Sequence, residues 1–369
     1  MGDRLLGLLM IVKDEAASLE RTLSSVSAVI DKWMILDTGS TDGSPDIARR
    51  LLRHVPGEVQ FGPFEDYSQA FNLGLERYGQ RTAFAVRLAG DETLEGGSEL
   101  RAFLHSEATR LIPCGAYDIR LKYENLSYVQ PRVTSTSIDS KFQGRVHEAL
   151  ILPPGVRCGQ VPDPVRVVHD RQGRTEASPR DRTERYLNWI KQDMAEDPTN
   201  PRYVYFYAQT LKALDENEAA RAAYLQRATM PGSDNEIASS LYRAAELTTD
   251  ETAPYWFIRA WERSPRRCEP LVKLSRWLRS KRLYRTALVW ARQACEVPLP
   301  EGIRIAVDID SWRWKRWSEL ALSGYFANEP TIGRVGLYTL KQNLISNDPE
   351  WLWNHYQQTA ECYDRKFPI

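Results

Sequence analysis

The chain has 369 residues, 42% hydrophobic and 27% charged, enough for two packed cores, since domains usually run to roughly 100–200 residues. Lysine plus arginine and aspartate plus glutamate each number 49, so whole-chain charge singles out neither nucleic acid nor a membrane surface as partner. Five scattered cysteines (Cys114, Cys158, Cys268, Cys295, Cys362) form no CxxC pair, which argues against a disulfide or zinc framework and predicts a reducing, cytoplasmic setting.

The first element is the apolar run from Leu5 to Val12. Lys13, Asp14 and Glu15 follow it; the run is too short to span a bilayer and lacks a signal peptide's cleavage region, so it is expected to be a buried strand, with no membrane partner. Leu19, Leu23, Val26 and Ile30 then recur at helical spacing. "WMIL" (33–36) predicts the second strand, and Ser44 as N-cap with Pro45 at the first helical position opens a helix carrying Ile47, Leu51 and Leu52. A third strand at 59–61 leads to a helix through "DYSQAFNLGLERY", and "TAFAVRL" (82–88) predicts a fourth strand. The order β-α-β-α-β-α-β predicts a Rossmann-like α/β domain with a mainly parallel sheet.

In such sheets ligands sit beyond the carboxyl ends of the strands. Lys13 to Glu15, Asp37 to Asp42, and Asp91 with Glu92 all fall at those ends. Aspartate and glycine after a strand are also ordinary turn chemistry. Three acidic clusters on one rim, however, repel one another unless a cation or hydrogen-bond donors lie among them, and a nucleotide with a divalent metal supplies both. With no G-x-G-x-x-G after the first strand, a dehydrogenase is the weaker reading.

Five stretches, "MIVKDEAASLERTLSSV", "LDTGSTDGS", "DYSQAFNLGL", "LAGDETL" and "GRVHEAL", occur in this order between about residues 5 and 170. In that order and context they resemble family 2 glycosyltransferases of the GT-A fold. The nearest sub-group carries tetratricopeptide-like helices behind the catalytic domain and includes the bacterial peptide S-glycosyltransferases; phage DNA-modifying glycosyltransferases are a second likeness. The resemblance implies that Asp37 hydrogen-bonds the base or ribose of a nucleotide-sugar, with Glu15, Asp42 and Asn72 in the same cofactor-binding set. It also implies that Asp91 is the last carboxylate of a DxD-type motif, holding Mn²⁺ or Mg²⁺ against the donor diphosphate, and that His147 completes the metal or diphosphate site. The donor it suggests is uridine-linked, UDP-glucose or similar. Such enzymes generally invert at the anomeric carbon and need a base to deprotonate the acceptor; Glu148, Asp139 and Asp118 are unranked candidates. Two positions depart from the family pattern. Leu88-Ala89-Gly90-Asp91-Glu92 lacks the first carboxylate, and Ala70-Phe71-Asn72 has phenylalanine where the family favours arginine.

After "VRVVHD" the strand pattern ends, and the polar "RQGRTEASP" places the boundary near residue 173: a catalytic domain at 1–172 and a helical domain at 173–369. His169, just before it, is within reach of the catalytic rim. Pro231, Pro265 and Pro298 close helical segments at intervals of 34 and 33 residues, the tetratricopeptide period, so this half is expected to bind or position something. Between Pro265 and Ala294 stand nine arginines and lysines against Glu269 alone, with Trp277, Tyr284 and Trp290 interleaved, a pattern suited to nucleic acid but also to a solvated helix face over a tryptophan core.

The expected function is a metal-dependent, inverting glycosyltransferase acting on a macromolecular acceptor, either a peptide or protein side chain or a hydroxymethylated DNA base. A homodimer through the helical half is an expected assembly. The competing reading is a catalytically degenerate nucleotide-sugar-binding scaffold that recruits partners through its repeats.

Overall fold

A computed structural model describes residues 4–110, 114–169 and 179–368. The chain divides into two compact units, Met1–Thr199 and Asn200–Ile369.

The first unit begins as the periodicity predicts: β1 (Leu6–Val12), α1 (Ala16–Val26), β2 (Lys32–Asp37), α2 (Ser44–Leu51), β3 (Gly57–Phe61), α3 (Tyr67–Tyr78) and β4 (Phe84–Arg87). β1 is apolar throughout because both of its faces are covered. Leu6, Leu8, Met10 and Val12 join Leu19 and Leu23 of α1 and Ala48 of α2 in the main core, while Leu9 turns the other way onto Met34, Ala85 and Tyr78. Each fully buried leucine contributes roughly 1.5–3 kcal/mol by leaving water, so the α1 stripe alone accounts for several kcal/mol. α2 is capped by Gly43, at φ 86°, rather than by Ser44, which lies inside the helix with its hydroxyl committed elsewhere.

β3, β2, β1 and β4 lie side by side and parallel. Beyond β4 the sheet becomes mixed. β5 (Glu92–Glu95), α4 (Gly97–Ala108) and the long hairpin of β6 (Ala116–Tyr123) and β7 (Leu126–Ser135) follow in sequence. β7 pairs antiparallel with β4, β6 antiparallel with β7, β11 (Arg166–His169) parallel with β6, and β5 antiparallel with β11. A hairpin inserted into the sheet necessarily reverses one strand, so the sheet is mixed rather than mainly parallel. β8 (Lys141–Gln143) and β9 (Ala149–Ile151) form a separate hairpin, and β10 (Cys158–Gln160) pairs with β6. The unit closes with α5 (Pro179–Glu196).

The second unit is helical: α6 (Pro201–Ala213), α7 (Asn217–Thr229), α8 (Asp234–Glu246), α9 (Ala253–Arg263), α10 (Glu269–Ser280), α11 (Tyr284–Glu296), α12 (Arg316–Ala327), α13 (Pro330–Asn343) and α14 (Glu350–Lys366). Small residues set the helix spacing. Ala208, Ala220, Ala244, Ala260, Ala287 and Ala291 are fully buried, and a Cβ on Gly324 would lie 2.6 Å from the Gly333 backbone. α6, α8 and α10 begin at Pro201, Asp234 and Glu269, spacings of 33 and 35 residues. The period then breaks at an insertion containing a π-helical turn, Ser311–Lys315. Among the described residues, no helix is long and apolar enough to cross a membrane.

Candidate active site

A series of direct contacts ties the strand-end loops together. After β1, Asp14 adopts φ 53°, and its carboxylate accepts the Thr41 N–H at 2.7 Å while its own N–H donates to Ser40 Oγ at 3.0 Å. The Asp42 carboxylate accepts the Ala16 N–H at 2.8 Å and the Ser44 hydroxyl at 2.6 Å. Burial raises the Asp42 carboxyl, but the Ser44 hydroxyl and the Ala16 and Ser44 N–H groups outweigh it, and the net shift is downward. Asp42 is therefore a staple between the first two loops.

Asp37 differs. It is 1% exposed; Oδ1 accepts the Gly39 and Ser40 N–H groups, both at 2.9 Å, while Oδ2 is buried with no hydrogen-bond partner. An unpaired buried carboxylate oxygen is costly, and a ribose hydroxyl or nucleobase N–H would satisfy it.

The third loop packs on the first. A Cβ at Gly90 would fall 2.5 Å from Glu15 Cγ, so only glycine lets Glu15 lie against this loop, and Thr22 Oγ1 donates to the Gly90 carbonyl at 2.8 Å. The buried Glu92 fixes it from behind: one carboxylate oxygen accepts the Ala89 N–H at 2.8 Å and the other the Arg132 guanidinium at 2.5 Å. Asp91, 2% exposed, thereby faces His169 at the end of β11, with Oδ2 to Nε2 at 3.0 Å. The His169 ring in turn lies 4.9 Å from that of Tyr123.

The "GRVHE" segment is the loop of the β8–β9 hairpin. Asn72 spends both ends of its amide on this hairpin, accepting the Phe142 N–H at 2.7 Å and donating to the Phe142 carbonyl at 3.0 Å. Arg145 reaches α5: its N–H donates to Asp193 Oδ2 at 2.9 Å and its guanidinium to Asp193 and Glu196. These carboxylates raise the Arg145 pKa, whereas burial is the main influence raising that of Asp193. His147 sits at φ 53°, a sparsely populated conformation for a non-glycine residue, with its ring 6.2 Å from that of Tyr186 on α5. Tyr67 and Tyr186 share a 2.8 Å hydroxyl bond, and Trp189 stacks beside Tyr186.

Glu148 lies within electrostatic range of Arg87. Arg87, on β4, places its guanidinium over the rings of Phe71 (5.2 Å) and Phe142 (4.3 Å). The ring of Phe71 on α3 thus lies under a guanidinium from β4. Burial first, then Arg132, pushes Arg87 down to about 9, against the pull of Glu148 and Glu92; the guanidinium stays charged at neutral pH. Asp118 is buried in β6 at its register shift against β7. Asp139 is exposed in the turn after β7, whose Thr136 N–H bonds Ala83 at the amino end of β4, away from Asp91.

No protein-family model matches the chain. Its sequence is 22% identical over 218 residues to the SPbeta prophage-derived glycosyltransferase SunS of Bacillus subtilis (strain 168), across 57% of this chain and 50% of that protein. The glycosyltransferase SunS of Bacillus phage SPbeta gives the same figures. The chain therefore spans about half the length of the curated relatives it matches. Among solved structures, S. aureus TarS 1–349 in complex with UDP is similar at a TM-score of 0.36 and 12% identity, covering 70% of this chain and 87% of that one. The C-terminal part of a TPR repeat-containing protein from Cytophaga hutchinsonii gives 0.39 and 10%, over 50% and 68%.

Sequence reasoning missed Arg87, Arg132, Arg145 and the aromatic residues of α5. Arg87 carried a readable signal, a lone charge closing an otherwise apolar strand; the others are recognisable only from their partners.

Proposed function

We propose that the chain is a glycosyltransferase that takes a sugar from a uridine nucleotide donor. The observation that carries this reading is the linkage of three strand-end loops into one rim, with an unsatisfied Asp37 oxygen on one loop and the Asp91–His169 pair on another. The sequence similarity to SunS supports it independently.

In this reading Asp37 binds the nucleoside. Asp91 and His169 would hold Mn²⁺ or Mg²⁺ at the diphosphate. Among the described residues no cluster of three or more metal-ligating side chains forms a ready-made cage. A carboxylate and an imidazole still fit such an ion, because a cation at a diphosphate takes most of its ligands from phosphate oxygens and water. When bound, the ion would stabilise charge on the departing nucleotide. Asp42 and Asn72 act by holding the loops. Glu148, on the hairpin loop fastened to α3 and α5, is the base for the acceptor, and attack opposite the leaving group inverts the anomeric carbon.

The acceptor we propose is a peptide or protein side chain. Much of the basic stretch in the second unit is neutralised locally: Lys273 pairs with Glu246, Arg279 with Glu319, Lys281 with Glu251 and Arg267 with Glu269. Trp277 and Trp290 pack against helical cores. That leaves a smaller surface for a phosphate backbone than the composition suggests.

The test is transfer from radiolabelled UDP-glucose and related UDP-sugars, with Mn²⁺, to a peptide library and to DNA containing 5-hydroxymethylcytosine. Glu148→Gln is expected to lose 100-fold or more of the transfer rate, in the range of roughly 10²–10⁴ for a general base, while binding UDP as the native chain does. UDP binding without donor hydrolysis or transfer would favour the non-catalytic scaffold, and absence of both UDP binding and transfer would overturn the proposal.

A further inference from the structure

The opposite edge of the sheet carries a groove of about 1360 Å³ at the amino ends of β1, β2 and β4. Its walls come from separate segments: the residues entering β1, the turn before β2, the α3–β4 loop, one face of α4 and the end of β7. Arg4, Lys32, Arg81, Arg101 and His105 line it, and no aspartate or glutamate does. In a chain with balanced charge, this is a local excess of one sign.

Not all of that charge is available. Arg101 forms a two-pronged ion pair with Asp31, both contacts at 2.9 Å, and Arg81 pairs with Glu58 at 2.6 Å. Arg4, Lys32 and His105 have no carboxylate partner among the described residues. Arg4 and His105 are exposed and Lys32 half-buried. Ser98 adds a hydroxyl to the same walls, as do Ser135 and Ser137, whose hydroxyls are 3.0 Å apart and hydrogen-bonded to each other, leaving one of the two to donate outward. Guanidinium, ammonium and imidazole groups interspersed with hydroxyls suit the oxygens of a phosphate, and the groove exceeds the roughly 300–1,000 Å³ of an ordinary small-molecule site.

We propose that this rear groove binds a phosphate-bearing ligand longer than a diphosphate, at a site separate from the donor rim. The inference is independent of the glycosyltransferase reading. Tripolyphosphate and a short single-stranded oligothymidylate represent the two sources of the shared chemistry, a free polyphosphate and a phosphodiester chain. Each is titrated calorimetrically into the intact protein in EDTA, so that no divalent ion draws phosphate to the rim.

The native chain and Asp37→Asn are expected to bind tripolyphosphate equally. The combined variant Arg4→Ala, Lys32→Ala and His105→Ala should bind at least tenfold more weakly. Removing the same number of charged or polar donors from the second unit, as Arg276→Ala, Arg282→Ala and Arg285→Ala, should leave binding unchanged. If the oligonucleotide follows the same pattern, the natural ligand is a phosphodiester chain; if tripolyphosphate alone does, it is a free polyphosphate. Equal binding by the native chain and the groove variant, equal weakening by the second-unit variant, loss of binding in Asp37→Asn, or no binding of either probe would overturn the proposal.

Discussion

At the scale of single residues, the candidate site separates groups with a spare valence from groups already spent. Asp37 keeps one carboxylate oxygen unmatched, whereas Asp42 and Asn72 have committed theirs to neighbouring loops. Asp37→Asn keeps an oxygen for the Gly39 and Ser40 N–H groups, so the fold is expected to survive. UDP affinity measured by calorimetry should fall about 10- to 100-fold, as for a lost hydrogen bond to a charged group worth roughly 1.5–3 kcal/mol. Asp31 provides a stability prediction. Burial raises its carboxyl, but Arg101 and the Leu5 and Leu6 N–H groups outweigh this and hold it below its ordinary value of 3.8. A depressed carboxyl contributes stability that is fully present above the unfolded value and lost as pH falls through the folded one. The Tm difference between the native chain and Asp31→Asn should therefore be constant at neutral pH and close below about pH 3.8.

At the scale of elements, the alternating apolar pattern was enough to place the first four strands and three helices. Leu9 and Leu8 are equally greasy, yet they face opposite layers, and a continuous run of this kind announces burial on both sides without saying what covers each. Gly7 shows what the pattern omits. A Cβ there would lie 1.7 Å from Tyr78 Oη, which also bonds Thr82 at 2.8 Å. Gly7→Ala is expected to lower stability by about 1–3 kcal/mol in a denaturant titration, as overpacking of a tight core does. Asp91 was found at its strand end from sequence, but its partner was only within reach. His169 follows more than seventy residues later, and the pairing exists because β11 lies antiparallel to β5, setting His169 opposite Glu92. Of the hairpin strands, β7 is obscured by Pro131 in mid-strand, whereas β6 alternates polar and apolar residues from Asp118 to Tyr123, a readable strand signal that sequence reasoning missed.

At the scale of the whole molecule, the change of composition near residue 173 and the division between the compact units at Thr199 mark different things. The first is where the strand pattern stops. The second follows α5, whose Asp193 and Glu196 hold Arg145 and whose Tyr186 meets His147. A chain ending at Thr199 is expected to bind UDP within threefold of the full chain and to lose transfer to a macromolecular acceptor. A chain ending at residue 172 lacks α5 and leaves Arg145 without its carboxylates; it is expected to unfold at a lower temperature than the Thr199 fragment, with UDP binding lost alongside, and thermal unfolding and calorimetry distinguish the two fragments.

The sequence by itself determined the α/β beginning, the helical repeat that follows, and which strand ends carry acidic residues, because those depend on local periodicity and turn chemistry. Tertiary structure decided which of those residues remain available and which imidazole meets Asp91. It also decided that the buried Arg87 lies over the rings of Phe71 and Phe142, and that several of the basic residues in the second unit have acidic partners. Those outcomes depend on side chains distant in sequence, and for Arg87 and His169 on strand register, since a one-residue shift in pairing would turn a strand residue to the other face of the sheet.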